Sequence, residues 1–449
     1  MKKQPTKKKR VDTPVKTREK VQLAYGLLVA ITFISFVSVA AAFTVSVQKK
    51  NSAQQAKIVT PSCRRFEDFN ERLACLIEKF EERKEKNPEP LFLITPLDRL
   101  PGGGTCQAND INEKNEITGY CENANGHLRA VIWQQDGDVT NLRLPTNENS
   151  LATAGHAINE EGNIAGQSQL RTDQLLRAMT YVDGTMQAFA PFVVENYSNF
   201  EVDDHSFLKG INESNQMVGS GPFELVEADD IGDGDDKKMV HHAFLWDDGI
   251  INDLGSAAEG FSSWASDINN QGMIVGEAQL PFGDAYINKA AVWQDKTQQV
   301  TIIDQRQNSG AISSALAVNE QQPAQVVGQI NIEQSPGTFY SHGFLWSGED
   351  MRDLGTYGNC GFSIAKDINN ASNIVGESWG YPCGDDFSNY KALIWTWRDG
   401  DILATDINNF INDARWHLSI LTGINDSNYI VGYGILNGQR EAFLLTPNK

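Results

Sequence analysis

One ten-residue phrase constrains this chain more than any other: Asp267-Ile268-Asn269-Asn270-Gln271-Gly272-Met273-Ile274-Val275-Gly276. An apolar run ends at Asn269, a polar turn follows, and a second apolar run ends at Gly276. Asn tolerates a left-handed backbone and bonds its own main chain, and Gly takes positive φ without steric cost. The phrase therefore predicts a tight β-hairpin. It recurs with its key asparagine at Asn112, Asn159, Asn212, Asn269, Asn319, Asn369 and Asn425, at intervals of 47, 53, 57, 50, 50 and 56 residues. A period near 50 with four short strands per unit predicts propeller blades. Seven copies predict an all-β, seven-bladed β-propeller.

The remaining strands follow the same repeat. The third is an apolar phrase ending in an aromatic residue in most copies, as in Ala130-Val131-Ile132-Trp133, Ala243-Phe244-Leu245-Trp246 and Ala392-Leu393-Ile394-Trp395. The fourth is clearest as Asp253-Leu254-Gly255 and Asp353-Leu354-Gly355. Nearly continuous apolar runs suit sheets buried on both faces by neighbouring blades. Leu91-Phe92-Leu93-Ile94 reads as a fourth strand with no third before it, and the last unit stops at its third strand, Ala442-Phe443-Leu444-Leu445. The first strand should therefore complete the last blade, which closes the ring and leaves no free inner edge. Asp406-Ile407-Asn408 is not an eighth copy, because no Gly-x-Ile-Val-Gly follows it.

A Leu-Pro-Gly-Gly segment, Asp-Ile-Asn and Ile-Val-Gly strands and a His-Ala-Phe strand, present as His242-Ala243-Phe244 and altered to His342-Gly343-Phe344, resemble the HAF-repeat family of extracellular bacterial repeat proteins. The resemblance covers residues 91–449. It implies export and a propeller-like repeat domain, and it carries no catalytic residues over. Pro323 in the turn of unit five and Ala165 in unit two depart from the pattern.

The front of the chain differs in composition. Residues 1–50 hold 11 Lys and Arg against 2 Asp and Glu, a net +9, and the rest hold 27 against 56, a net −29. So acidic a body repels phosphate backbones, which argues against nucleic-acid binding. Leu23 to Val47 is uncharged over 25 residues, long enough for a transmembrane helix. The basic residues before it orient the chain with 1–20 in the cytoplasm and everything after Val47 outside. The expected layout is a basic tail over 1–20, a transmembrane helix over 21–47, a stalk over 48–90 and the propeller over 91–449. That places a single-pass protein in a bacterial inner membrane with its C-terminal domain in the periplasm or outside. A signal peptide cleaved near Ala40-Ala41-Ala42, giving a secreted protein, is the alternative.

In the stalk, Phe66, Phe69, Leu73, Leu76, Ile77 and Phe80 form the apolar face of an amphipathic helix from about Arg64 to Lys86, ended by Pro88 and Pro90. The face either packs on the propeller or serves self-association or partner binding. Cys63 and Cys75, twelve residues apart, would lie ~18 Å apart in one continuous helix. Either Cys63 precedes the helix and folds back, or the two pair elsewhere. Cys106 and Cys121 are equidistant from their hairpin turn and should form a disulfide. Cys360 and Cys383, flanking the matching hairpin of unit six, should form a second.

Tight turns should occupy one face of the disc, and strand-two-to-three loops and crossovers the other. Loop lengths from the Gly of strand two to the start of strand three are 11, 12, 24, 14, 15, 16 and 10 residues. The long third loop carries Asp229, Asp230, Asp233 and Asp235, whose oxygens suit Ca²⁺, although acidic loops are usually just solvated and the spacing is not that of an EF-hand. No other cofactor is expected. The crossover entering that blade carries Asp203, Asp204 and His205, and blade six carries Trp379 and Tyr381 on a long loop; these form the expected binding face. Trp264, Trp397 and Trp416 also stand outside the repeat register. His242 recurs as His342 at a strand start and reads as structural rather than as a zinc ligand. No phosphate loop, GxSxG elbow, HExxH helix or Cys/His pair is present. The expected function is a protein-interaction or scaffold module with a partner in the cell envelope. A glycan-binding or glycan-cleaving propeller is the alternative.

Overall fold

The computed structural model describes residues 63–66, 68–83, 90–142, 150–171, 174–192, 205–227, 237–283, 285–294, 299–306, 311–335, 337–358, 360–398 and 401–448. The predicted membrane span Leu23 to Val47 lies outside these residues. Among the described residues no helix is long and apolar enough to cross a membrane.

Seven four-stranded antiparallel sheets make seven blades. Blade 1 runs outward from Cys106–Ile111 through Ile117–Glu122 and Leu128–Trp133 to Val139–Asn141. In blade 7 the strand Phe92–Pro96 pairs with Gln439–Pro447, with Ile94 opposite Leu445, so the chain's first described strand is the outermost strand of its last blade. The predicted closure is present. Asp406 ends the fourth strand of blade 6 and caps a short turn through Asn408, outside any eighth blade.

The core lies between blades. Val218, Ala243 and Leu245 of blade 3 pack with Ala265, Ile268, Ala291 and Trp293 of blade 4. Burying both faces of every sheet explains why the third strands read as continuous apolar runs. The indole N–H groups of Trp133, Trp293 and Trp395 donate to the carbonyls of Asp98, Leu254 and Leu354 at 2.8, 3.0 and 3.1 Å, so each tryptophan fills the gap and ties a crossover.

The repeated asparagines do more than turn the chain. The side-chain oxygen of Asn269 accepts from Met273 N within its own hairpin, and its amide donates to the backbone oxygen of Asn319 in the next blade at 3.1 Å. Asn112 donates to Asn159, Asn159 to Asn212, Asn212 to Asn269, Asn319 to Asn369, Asn369 to Asn425, and Asn425 back to Asn112. The cycle closes on itself. The following residues form a second cycle, in which each backbone N–H donates to a side-chain oxygen one blade on. Its acceptors are Glu160, Glu213, Asn270, Glu320, Asn370, Asp426 and Glu113.

The helix spans Phe69–Arg83, shorter than predicted at its start, and Cys63 sits in a separate turn, Cys63–Arg65. Cys63 folds back to Cys75 with 5.7 Å between Cα atoms, and Cys106–Cys121 and Cys360–Cys383 are bonded as predicted. Leu73, Leu76 and Ile77 are buried with Leu91, Phe92, Ile407 and Phe410, and the rings of Phe69 and Phe92 stand 5.8 Å apart. Of the two readings of this face, the structure shows packing on the propeller: Phe69, Leu73, Leu76 and Ile77 rest on blades 6 and 7.

Asn269 is almost fully buried and its amide has no alternative partner in the ring. Asn269→Ala should cost about 2 kcal/mol in urea unfolding, because it strands the buried Asn319 carbonyl and the half-buried Met273 N–H together. Asn270→Ala, at an exposed position, should cost less than about 1 kcal/mol.

Candidate functional site: an axial cavity lined by bulged residues

Every innermost strand carries the same irregularity. Its pairing with strand two skips one residue: Asn109, His156, Lys209, Ser266, Leu316, Lys366 and Thr422 in blades 1 to 7. Such a β-bulge sets two residues against one and re-aims a side chain. Here all seven bulged residues line one cavity of 670 Å³ on the propeller axis. The wall above them includes Gln107, Phe207, Trp264, Tyr120, Gln167 and Glu277.

The glycine of each Ile-Val-Gly phrase makes the bulge possible. A Cβ on Gly119, Gly276 or Gly376 would come 2.0 Å from the backbone oxygen of Gln107, Trp264 or Ile364, and the other four repeats place theirs at 1.9–2.2 Å. Only glycine leaves room for the carbonyl of the bulged strand.

The bulged side chains are not alike. His156 Nδ1 donates to the Leu208 carbonyl at 2.7 Å, which fixes the tautomer and leaves Nε2 as an acceptor. Burial first, and then Lys209, push its pKa down to about 3, so the ring is neutral. Lys209 opens into the cavity with its ammonium 5.3 Å from the centre of the Phe207 ring. Desolvation, with Lys366 second, lowers its pKa to about 8. Lys366 pairs with Glu377 at 3.2 Å. Glu277 accepts from Asn288 at 3.2 Å, and burial raises its pKa.

One residue further along lies a layer of three carboxyls. Asp110, Asp267 and Asp367 each accept from the next residue's N–H at 2.8 Å and reach across to the next blade, to Ile158, Val318 and Ile424 at 2.8, 2.9 and 2.8 Å. The four other blades have Ala157, Gly210, Ala317 and Gly423 here, and a Cβ on Gly210 would meet Asp267 Cα at 2.7 Å. Desolvation raises all three pKa values against those hydrogen bonds, Asp110 to about 7, Asp367 to about 6 and Asp267 well above the usual range; Asp367 also repels Asp110, and Asp367 and then Asp110 repel Asp267.

Few of the residues singled out from sequence meet here. Asp229, Asp230, Asp233 and Asp235, and Asp203 and Asp204, lie outside the described residues. Among the described residues no group of three or more His, Cys, Asp or Glu is arranged to hold a metal. The ring of His205 accepts from Leu176 N at 3.2 Å and holds the crossover into blade 3. Trp379 stacks between Phe362 and Tyr390 at 5.5 and 5.4 Å, and Tyr381 is 87 % exposed beside it. Neither lines the cavity, but Trp264 does. Trp416 is buried, and Trp397 carries Arg352 over its ring at 5.0 Å. His242 and His342 bond Asp253 and Asp353 of the fourth strands at 2.9 and 3.0 Å, in structural roles. The bulged residues were missed. Their signal is a position, three before each repeated asparagine, where the repeats disagree.

Gly376→Ala should cost more than about 2 kcal/mol, since the Cβ cannot coexist with the bulge; urea unfolding checks it. Above about pH 4, and up to about 7 for Asp110 and about 6 for Asp367, these raised carboxyls are protonated in the folded state while ionised in the unfolded state. Folding takes up protons there, so stability should rise as pH falls through that window, by about 1.4 kcal/mol per pH unit for each proton taken up. Thermal melts from pH 7.5 to 5 check the direction, and Asp110→Asn should flatten the slope.

No family model matches the chain, and no curated protein matches it. Among solved structures the chain is similar to the β-propeller domain of the Trilobed protease from Pyrococcus furiosus, described as having an open velcro topology. The match has 11% identity over 76% of this chain and 94% of that one, with a TM-score of 0.44. It is similar to the extracellular domain of a putative one-component system from B. thetaiotaomicron at 8% identity over 78% and 39%, with a TM-score of 0.43. It is also similar to Aleuria aurantia lectin at 10% identity over 69% and 96%, with a TM-score of 0.34.

Proposed function

We propose that the chain is a membrane-tethered, extracytoplasmic binding propeller that engages an envelope protein at the face where the axial cavity opens. The apolar segment Leu23 to Val47 with its basic flank supports the tether, and the resemblance to HAF repeats supports export. One observation carries the interaction reading. The strand-two-to-three hairpins of blades 3, 4 and 5 are longer than the others, with strands reaching Glu227, Phe282 and Ser335. Phe282, Tyr286 and Tyr340 on two of them are 43, 50 and 37 % exposed, and Ile312 at the foot of blade 5 is 44 % exposed. Large apolar groups gathered on one rim mark a contact surface. The opposite face is consumed by the two hydrogen-bonded cycles.

A second reading, glycan binding in the axial cavity, is supported by Trp264, Phe207 and Tyr120 standing among the side-chain amides Gln107, Asn109 and Gln167. Aromatic faces beside fixed polar groups suit a hydroxylated ligand.

A photo-crosslinking residue at Tyr286 or Tyr340 in intact cells should give one discrete adduct, and the same residue at Asp136 on the opposite face should give none. No adduct from either rim position, or the same adduct from all three, would count against the interaction reading.

A further inference from the structure

We propose that the axial cavity is a carboxylate-binding site, with Lys209 as the group that receives the anion and Lys366 supporting it across the cavity. The inference rests on the cavity being a ligand site. It is independent of which partner meets the rim.

The seven bulged positions are where this chain departs from its own repeat. The same backbone device presents Asn109, His156, Lys209, Ser266, Leu316, Lys366 and Thr422 to one space. Two lysines therefore face inward in a body of net −29 with carboxylates to spare. Lys366 has its carboxylate, Glu377, at 3.2 Å. Among the described residues Lys209 has neither a hydrogen-bond acceptor nor an ion pair; it has the face of Phe207. Lys209 is exposed within the open cavity, so its ammonium is free to meet a ligand anion, and a charge-assisted hydrogen bond there is stronger than a neutral one.

The neighbours define the anion. His156, held as a neutral ring by the Leu208 carbonyl, offers an acceptor beside Lys209 rather than a second positive charge. It suits a hydroxyl next to the acid group. Glu277 lines the same cavity and would oppose a dianion. One unpaired lysine in a cavity that also holds the Glu277 carboxyl fits a monoanion, hence a carboxylate rather than a phosphate. The cavity of 670 Å³ takes a ligand of sugar or short-peptide size. A carboxylate of that size comes either from a sugar acid or from a peptide C-terminus, and the chemistry at Lys209 is common to both.

Calorimetric titration of the purified chain tests the assignment with four probes: glucuronate, glucose, and acetyl-dialanine with a free or an amidated C-terminus. At least one acid should bind saturably, and at least about tenfold more tightly than its neutral counterpart. Lys209→Met should remove that preference, while Lys209→Arg keeps most of it. A melting temperature unchanged from the parent shows that the variants are folded. The first pair binding identifies a sugar acid as the source, and the second a peptide terminus. Equal binding of glucose and glucuronate, with no preference for the free peptide C-terminus either, would leave the glycan reading standing and overturn this one. Acid binding that survives Lys209→Met in a folded protein, or no saturable binding of any acid, would also overturn it.

Discussion

The structure depends on one hydrogen bond made seven times, from a side-chain amide of one hairpin turn to the backbone oxygen of the next turn. Each asparagine is almost fully buried and satisfies donors and acceptors on both sides of a blade boundary. In a closed cycle no turn has a free end, so each blade holds its neighbour's turn in the geometry that the neighbour needs for its own outgoing bond. Buried polar groups are stabilising only when every partner is present, and here the partner is always supplied. The second cycle, outside the first, strengthens the same boundary with carboxylates and amides on backbone N–H groups. These cycles commit the turn face to cohesion.

Much of this was legible in the sequence, because cohesion recurs. The asparagines, the Ile-Val-Gly glycines and the third-strand tryptophans repeat, since each blade boundary poses the same packing problem. The closure of blade 7 was legible from a count of strands at the two ends, and two disulfides from their distance to the hairpin turns. The back-folded Cys63 was open between two readings, because nothing in a short amphipathic stripe says what covers it. Trp379 and Tyr381 drew attention as aromatics on a long loop, yet Trp379 is occupied by its own neighbours, Phe362 and Tyr390.

The cavity was not legible for the opposite reason. A bulge leaves no residue type of its own at the bulged position. Its trace is the glycine across the ladder, whose recurrence reads equally well as tight strand packing. The residues it aims inward share no pattern, so a search for repetition passes over them. His156, Lys209 and Lys366 look like scattered polar residues until seven strands are brought to one axis. The same holds for Asp110, Asp267 and Asp367. In sequence they are part of a turn phrase, and in the fold they are one layer of coupled carboxyls.

The pairing of Phe92–Pro96 with Gln439–Pro447 sets an order on biogenesis. Phe92–Pro96 can find its partner only when synthesis has reached residues 439–447. Until then blade 7 lacks its rim and the helix Phe69–Arg83 lacks much of the apolar bed it rests on. Disc closure is thus deferred until residues 439–447 have been made, so a chain stopped short of them meets proteases as an open arc rather than a closed ring.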